Sequence, residues 1–412
     1  MTGKMEFLDG KVTLLPGDCV EGLASLPSAS VDSVVTDPPY GLEFMGKEWD
    51  GADGFRRSLN AADAGRDSVF GRTSKKAPEY RTTGTGSKGT PGGNLFQEWC
   101  EMWARECLRV LKPGGYMLAF GGTRTQHRMV CAIEDAGFEI RDQIGWIYAQ
   151  GFPKNDSSLK PAWEPVCVAR KPLMGTVVAN MEAHGTGRLN IDECRIGEGS
   201  RAHGRDGEAS ASKRYTTAGG TNFAATPGPR GGDPAGRYPA NIIHDGSEEV
   251  VAAFPDAPGQ QQAVGPEHGA KKTVNCYGDF GPREQFNPRG DSGSAARFYY
   301  AAKADADDRL GSKHPTVKPV DLMQYLVRLV TPRDGVVLDP FGGTGTTGEA
   351  AWREGRRAIL IEREEEYQAD IARRMELASQ PTKRAAVAKT KNNLVEPNAL
   401  PLFLGLGGSK PS

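Results

Sequence analysis

With 412 residues, the chain is long enough for a large core plus an insertion or a second domain. Its 51 Lys+Arg and 52 Asp+Glu leave a formal net charge of −1, so bulk charge names no polyanionic partner. Seven scattered cysteines without a C-x-x-C pair, no histidine cluster, no signal-like leader and no apolar run near the ~20 residues that span a bilayer argue against structural zinc, secretion and a membrane protein, and for a reducing cytoplasm.

In chain order, Lys11–Leu15 reads as a strand, Gly17-Asp18-Cys19 as a turn and Val20–Leu26 as a short helix. The β-branched run Val31–Val35 reads as a buried strand, ended by Thr36-Asp37-Pro38-Pro39-Tyr40-Gly41. Neither proline can give an N–H to a ladder, so a carboxylate, a free proline carbonyl and an aromatic ring are held at a strand's carboxyl end. Open α/β sheets bind ligands there. Such a set can accept hydrogen bonds from a planar amino group while the ring stacks on it; a Pro-rich strand-to-loop turn is the plain alternative.

Leu42–Asn94 shows no hydrophobic period, and Gly51–Asn94 carries eight Lys/Arg against four Asp/Glu. It reads as a mobile loop able to touch phosphates, with Phe44 and Trp49 as anchors. Phe96, Trp99, Trp103, Cys107 and Val110 then recur at helical spacing, as the core face of an amphipathic helix. Lys112-Pro113-Gly114-Gly115 stops it, Tyr116–Phe120 is the next strand, and a helix over Arg124–Ala136 leads to strands Phe138–Ile140 and Gln143–Tyr148. Strands alternating with helices predict an α/β, doubly wound, mostly parallel sheet.

From Gly151 to Asp308 the chain turns irregular, with short strands at Pro165–Ala169 and Thr176–Ala179 and a flexible stretch at Ser200–Gly236. It reads as an inserted module. Pattern returns at Lys313–Pro319, followed by a helix over Val320–Val330, the strand Val336–Asp339, the glycine loop Pro340–Gly345, a helix over Thr346–Glu354, the strand Arg357–Ile361 and a helix over Glu365–Ala378. Ser379 onward reads as a tail. The glycines allow a tight turn and close backbone approach to a ligand at a helix N-terminus. Glu362, 17 residues beyond Gly345 at the next strand's end, suits a ribose. The loop has neither a P-loop nor a dinucleotide spacing. A nucleoside whose only anion is an amino-acid carboxylate fits better, which points to S-adenosylmethionine.

Four pieces carry a resemblance: Asp37-Pro38-Pro39-Tyr40, Val110-Leu111-Lys112-Pro113-Gly114-Gly115, His314-Pro315-Thr316-Val317-Lys318-Pro319 and Phe341-Gly342-Gly343-Thr344-Gly345. In this order the chain resembles the permuted, β-group amino-methylating DNA methyltransferases. Leu159–Pro165 and Arg297–Lys303 look like stretches in phage and prophage members. The resemblance implies a seven-stranded, Rossmann-like methyltransferase sheet. Its catalytic half would span 1–41 and 95–150 around a loop at 42–94. A target-recognition insertion would follow at 151–308, then a cofactor half at 309–378 and a tail at 379–412.

The resemblance further implies that Asp37 and the Pro38 carbonyl, with Pro39 and Tyr40, engage the amino group of a flipped base. S-adenosylmethionine would be held by Asp18 at its adenine, by Glu362 at its ribose, and by Asp339, Phe341, Gly343, Gly345 and Thr346. Thr316 and Lys318 would close over its methionine end. The aspartate in the first motif position goes with N6-adenine in this family, N4-cytosine being the alternative. Lys154, Lys160, Arg170, Lys171 and Arg188 are candidate contacts to double-stranded DNA. A homodimer, a separate restriction endonuclease and nucleoid association complete the expectation. Methylation of RNA or of a protein amide, and an inactive DNA-binding regulator on the same fold, are the competing readings.

Overall fold

The computed structural model describes residues 3–42, 50–51, 54–56, 58–59, 93–149, 151, 153, 156–197, 237–257, 293–302, 306–380, 382–384 and 387. Phe44, Trp49, Lys154, the stretch 200–236 and most of the expected loop and tail lie outside the described residues. The chain divides into two compact units. The first comprises Met1–Arg141, Ala169–Arg188 and Ala304–Ser412; the second comprises Asp142–Val168 and Leu189–Lys303.

The first unit holds β1 (Met5–Phe7), β2 (Val12–Pro16), β3 (Val31–Thr36), β4 (Leu111–Phe120), β9 (Val336–Asp339) and β10 (Arg357–Glu362), in the order β1-β2-β10-β9-β3-β4. Only the β1–β2 pairing is antiparallel here; β2, β10, β9, β3 and β4 run parallel. All six residues of β3 are buried, as a strand covered on both faces requires. The covering helices form two groups. In one, α1 (Cys19–Ala24), α2 (Gly93–Val110) and α3 (Gln126–Asp135) pack on one another. In the other, α6 (Val320–Val330), α7 (Thr346–Arg353) and α8 (Glu365–Ala378) do the same. The expected α/β class with a mostly parallel sheet is thus found, and helices 320–330 and 365–378 have the boundaries read from the sequence.

Three polar contacts tie the central strand to a chain segment about 300 residues away, and a fourth ties it to Lys112. Asp32, buried within β3, accepts the Lys112 ammonium at 2.6 Å and the Val336 amide at 2.8 Å. Ser33 and Thr331 share a buried hydroxyl pair at 2.7 Å. At the carboxyl end, Thr36 donates to Asp339 at 2.7 Å. Buried polar groups are tolerated when each has such a partner.

The second unit contains β6 (Trp163–Arg170), β5 (Glu139–Ile147), β7 (Ile242–His244) and β8 (Tyr300–Ala301) in that order, the unit boundary falling within β5 and β6. β5–β7 and β7–β8 are parallel. With these the described residues contain ten strands where seven were expected; β1, β7 and β8 are two or three residues long, too short to leave a hydrophobic period.

Two readings are corrected. Thr176–Ala179 is not a strand: α4 (Val177–His184) starts there, capped by Thr176, whose hydroxyl accepts the Ala179 amide, and closed by Gly185 at φ +72. Caps outweighed the β-branched Val177-Val178 pair. Residues 139–147 form one strand, not two. The expected insertion at 151–308 also differs from the observed division. Residues 142–150 group with the second unit, and 169–188 with the first, where Asn180 and Thr186 both donate to the Pro113 carbonyl at 2.9 and 2.6 Å.

Candidate active site

The parallel registers bring four acidic side chains to one end of the first unit's sheet. Val34 of β3 lies opposite Leu338 of β9, Asp339 opposite Leu360 of β10, and Glu362 opposite Pro16 of β2. Asp37, Asp339, Glu362 and Asp18 therefore sit at or just past the carboxyl ends of four adjacent strands.

Asp37 is fixed from two directions. Its Oδ1 accepts the Tyr40 hydroxyl at 2.7 Å, and its Oδ2 accepts the Lys318 ammonium at 2.8 Å. Lys318 is 5% exposed, and its Nζ stands 3.3 Å from the Tyr40 oxygen and 4.9 Å from the centre of the Phe120 ring. Pro38 is buried; Pro39 and Tyr40 are half-buried. The Tyr40 ring owes its place to neighbours absent from the sequence reading. Thr125 donates to the Tyr40 carbonyl at 2.7 Å, and a Cβ on Gly122 would stand 3.0 Å from the ring. Asp50, 1% exposed, accepts the Gly41 amide at 2.7 Å and the Leu42 amide at 3.1 Å. The Gly121-Gly122 pair closing a strand beside the motif was a usable signal for part of this; nothing in the sequence marks Asp50.

The glycine loop follows β9 as expected. Gly343 and Gly345 run at φ +52 and +80, which side chains other than glycine adopt at a cost. Asp339 does not point out of the loop but closes it. It accepts the hydroxyls of Thr36 at 2.7 Å and Thr347 at 2.6 Å and the Phe341 amide at 3.1 Å, and burial pushes its carboxyl up to about 7. Thr346 is buried in the first turn of α7. From α8, the buried Arg374 guanidinium holds the Thr344 carbonyl at 2.7 Å and the buried Glu349 at 2.8 Å. Phe341 packs against Trp99 and Trp103, ring centres 5.6 Å apart in each case, while Phe55 packs tilted against Trp99 at 4.4 Å. Phe55 anchors the described part of the segment after the motif; Phe44 and Trp49 lie outside the described residues.

Glu362 receives the Gly343 amide on Oε2 at 2.7 Å and the Glu364 amide on Oε1 at 2.8 Å; burial raises its carboxyl to about 7 against these hydrogen bonds. Asp18 caps α1 by accepting the Val20 amide at 2.9 Å, and its other oxygen accepts the Ser58 hydroxyl at 3.3 Å. His314, pushed down to about 4 mainly by burial, packs edge-on against Tyr367, and Thr316 is exposed beside it.

Of the basic residues expected to meet DNA, Lys160 and Arg188 are exposed. Arg170 is 7% exposed with its guanidinium on Glu139 at 2.6 Å, and Lys171 gives its ammonium to the Leu111 carbonyl at 2.7 Å. Both cations thus have internal acceptors.

A family model described as DNA methylase matches residues 31–373. The chain is 26% identical over 201 residues to the type II methyltransferase M.HindIII of Haemophilus influenzae, covering 42% of this chain and 63% of that one. It is 22% identical over 355 residues to the type II methyltransferase M.HinfI of Haemophilus influenzae, covering 86% and 66%. It therefore spans just under two thirds of the length of these relatives. Among solved structures, the PvuII DNA methyltransferase (cytosine-N4-specific) aligns at 16% identity and TM-score 0.46, over 93% of this chain and 92% of that one. The M1.HpyAVI–SAM complex aligns at 16% identity and TM-score 0.39, over 88% and 99%.

Proposed function

The chain belongs to this DNA methylase family, and from that premise we propose that it transfers a methyl group from S-adenosylmethionine to the N6 amino group of an adenine flipped out of duplex DNA. The observation that carries the reading is the placement of Asp37 and Tyr40 beside the Asp339–Gly345 loop, at the carboxyl ends of the adjacent strands β3 and β9.

The residues fit the cofactor. At Gly343 a built Cβ would stand 3.6 Å from His314 Nε2, so the glycine presents bare backbone where a side chain would take up room beside that ring. Each oxygen of Glu362 has taken one backbone amide and retains acceptor capacity for a ribose hydroxyl. Bound there, S-adenosylmethionine supplies an electrophilic methyl group on a sulfonium. The protein's task is the nucleophile. An exocyclic amine is weak because its lone pair is delocalised into the ring. Asp37 and the Pro38 carbonyl accept its two hydrogens and return electron density to nitrogen, while the Tyr40 ring stacks on the base. Asp339, locked by three donors, shapes the loop rather than touching substrate.

Aspartate rather than serine at position 37 supports adenine over cytosine. The order of the pieces, catalytic motif before glycine loop with the second unit's residues largely between them, supports the permuted arrangement, and with it a target-recognition role for that unit. Lys160 and Arg188 are candidate DNA contacts. A homodimer and a separate restriction endonuclease complete the reading; sedimentation of the purified protein tests the first.

The test is methyl incorporation from labelled cofactor into duplex DNA, followed by mass spectrometry of the nucleosides. N6-methyladenine is expected; N4-methylcytosine would correct the base, and label in RNA alone would overturn the substrate class. Asp37→Ala is expected to lower the rate at least about a hundredfold, as loss of an aimed polar group does, with cofactor binding by calorimetry retained. Glu362→Ala is expected to lose the cofactor instead.

A further inference from the structure

We propose that Lys318 is a positioning residue for Asp37: its buried ammonium fixes the orientation of the carboxylate that receives the amino group. The inference rests on the methyl-transfer reading above and departs from the expectation that Lys318 closes over the methionine end of the cofactor.

The terminal torsion of an aspartate is broad, so a single donor does not define where its two oxygens point. Asp37 has donors on both. Tyr40, three residues on in its own loop, holds Oδ1, and Lys318, from the segment leading into α6, holds Oδ2 at 2.8 Å. Two donors from two parts of the chain stop the carboxyl group from rotating. An ionised carboxylate offers about four acceptor sites, so one on each oxygen remains for an incoming amine.

The lysine is itself immobilised, which a long flexible side chain is not by default. Its side chain is 5% exposed, and its Nζ lies 4.9 Å from the Phe120 ring centre and 5.6 Å from that of Tyr40, at cation–π range. Pro319 follows it directly and caps α6 at φ −57. A buried ammonium keeps its charge with an anionic partner, and Asp37 is one in direct contact.

Among the described residues, the charged and titratable groups facing Asp37 are Tyr40 on its own loop, Lys318 and His314 on the segment before α6, and Asp339 at the end of β9. Of these, Lys318 is the counter-charge in direct contact.

The experiment compares wild type, Lys318→Met and Lys318→Arg in single-turnover methyl transfer to duplex DNA. Cofactor affinity by calorimetry and thermal melting accompany it. Expected for Lys318→Met are cofactor affinity within about threefold of wild type and a transfer rate lower by about a hundredfold, the scale of a misplaced reacting group. Lys318→Arg, which keeps the charge but not the ammonium's shape, is expected to recover part of that rate while staying below wild type. Loss of cofactor affinity at least about tenfold in Lys318→Met, with the transfer rate at saturation unchanged, would assign the ammonium to the cofactor and overturn the proposal. So would a Lys318→Met transfer rate equal to that of wild type. If Lys318→Met fails to fold, the same comparison is read between Lys318→Gln and Lys318→Arg. A wild-type protein that methylates no DNA would overturn the functional reading itself, and this inference with it.

Discussion

Asp50 spends both carboxylate oxygens on the two amides that follow Tyr40, from a site that is 1% exposed. Deleting the acceptor leaves buried N–H groups unpaired, at about 1–3 kcal/mol for such a group. Asp50→Ala is therefore expected to lower unfolding free energy by about 2 kcal/mol or more in urea titrations. It should also slow methyl transfer with little effect on cofactor affinity, because the turn it holds carries Tyr40. Asp50→Asn, able to accept one amide but presenting an NH2 to the other, should fall between; equal stability of all three proteins would rule the clamp out. Its partner explains why no reading of the sequence found it: backbone amides have no residue identity, and Asp50 lies in a run without period. Asp37 and Glu362 stand out in the sequence because each comes at the end of a strand-like run, where a polar residue departs from the pattern. The Glu139 partner of Arg170 left no such mark: it lies on a strand 31 residues earlier, and charge alone does not reveal whether a guanidinium faces water or a carboxylate.

At the scale of elements, the Asp339–Gly345 turn shows what the glycines do. Gly343 and Gly345 both have positive φ, yet their surroundings differ. A Cβ at Gly343 would find its nearest neighbour at 3.6 Å; one at Gly345 would meet Ile371 at 3.1 Å and Met375 at 3.2 Å, both on α8. Left-handed backbone costs a non-glycine residue roughly 1–2 kcal/mol. Gly345→Ala is expected to add crowding to that strain and lower the melting temperature measurably more than Gly343→Ala. Gly343→Ala should lose less stability than Gly345→Ala while losing cofactor affinity, since the added methyl group meets His314 and Phe341 only at ordinary contact distance. Calorimetry with melting curves checks both, and the reverse ranking would refute the assignment. This turn was legible because strand, glycine run, helix and acidic strand end follow in order. α4 was not, because Val177-Val178 suggest a strand while its caps, Thr176 and Gly185, are single residues whose meaning depends on each other. The ion pair of the buried Arg374 and Glu349 was invisible for another reason: 25 residues separate the charges, and packing of α8 on α7 brings them together.

Across the whole molecule, fold class could be read but strand order could not, since β3 lies between β9 and β4, and the β3–β9 contact joins residues some 300 apart. That same contact has a thermodynamic consequence. Bringing strand ends together buries Asp339 and Glu362, whose carboxyls move from 3.8 and 4.5 to about 7, in each case chiefly through burial. For an acid whose folded pKa is raised, the folded state binds the proton that the unfolded chain has released. Stability contributed by each is therefore full below about pH 4, where both states are protonated, and is lost as pH rises towards 7. The slope in that window is about 1.4 kcal/mol per pH unit for one fully titrating group. Asp339→Asn removes one such group and keeps an acceptor for the Thr36 or Thr347 hydroxyl. Its unfolding free energy minus that of wild type should thus be flat below about pH 4, climb between about 4 and 7, and level off above. Glu362→Gln should climb over the same interval by a similar amount. Urea titrations at half-unit steps check this, and curves parallel to wild type across the window would mean that neither carboxyl carries the shift. The opposing requirement is functional. Glu362 accepts hydroxyls best as an anion, so the pH that ionises it for cofactor binding is the pH at which the empty fold is weakest, and added S-adenosylmethionine should raise the melting temperature more at pH 8 than at pH 5.5, both taken as rough brackets of the titration.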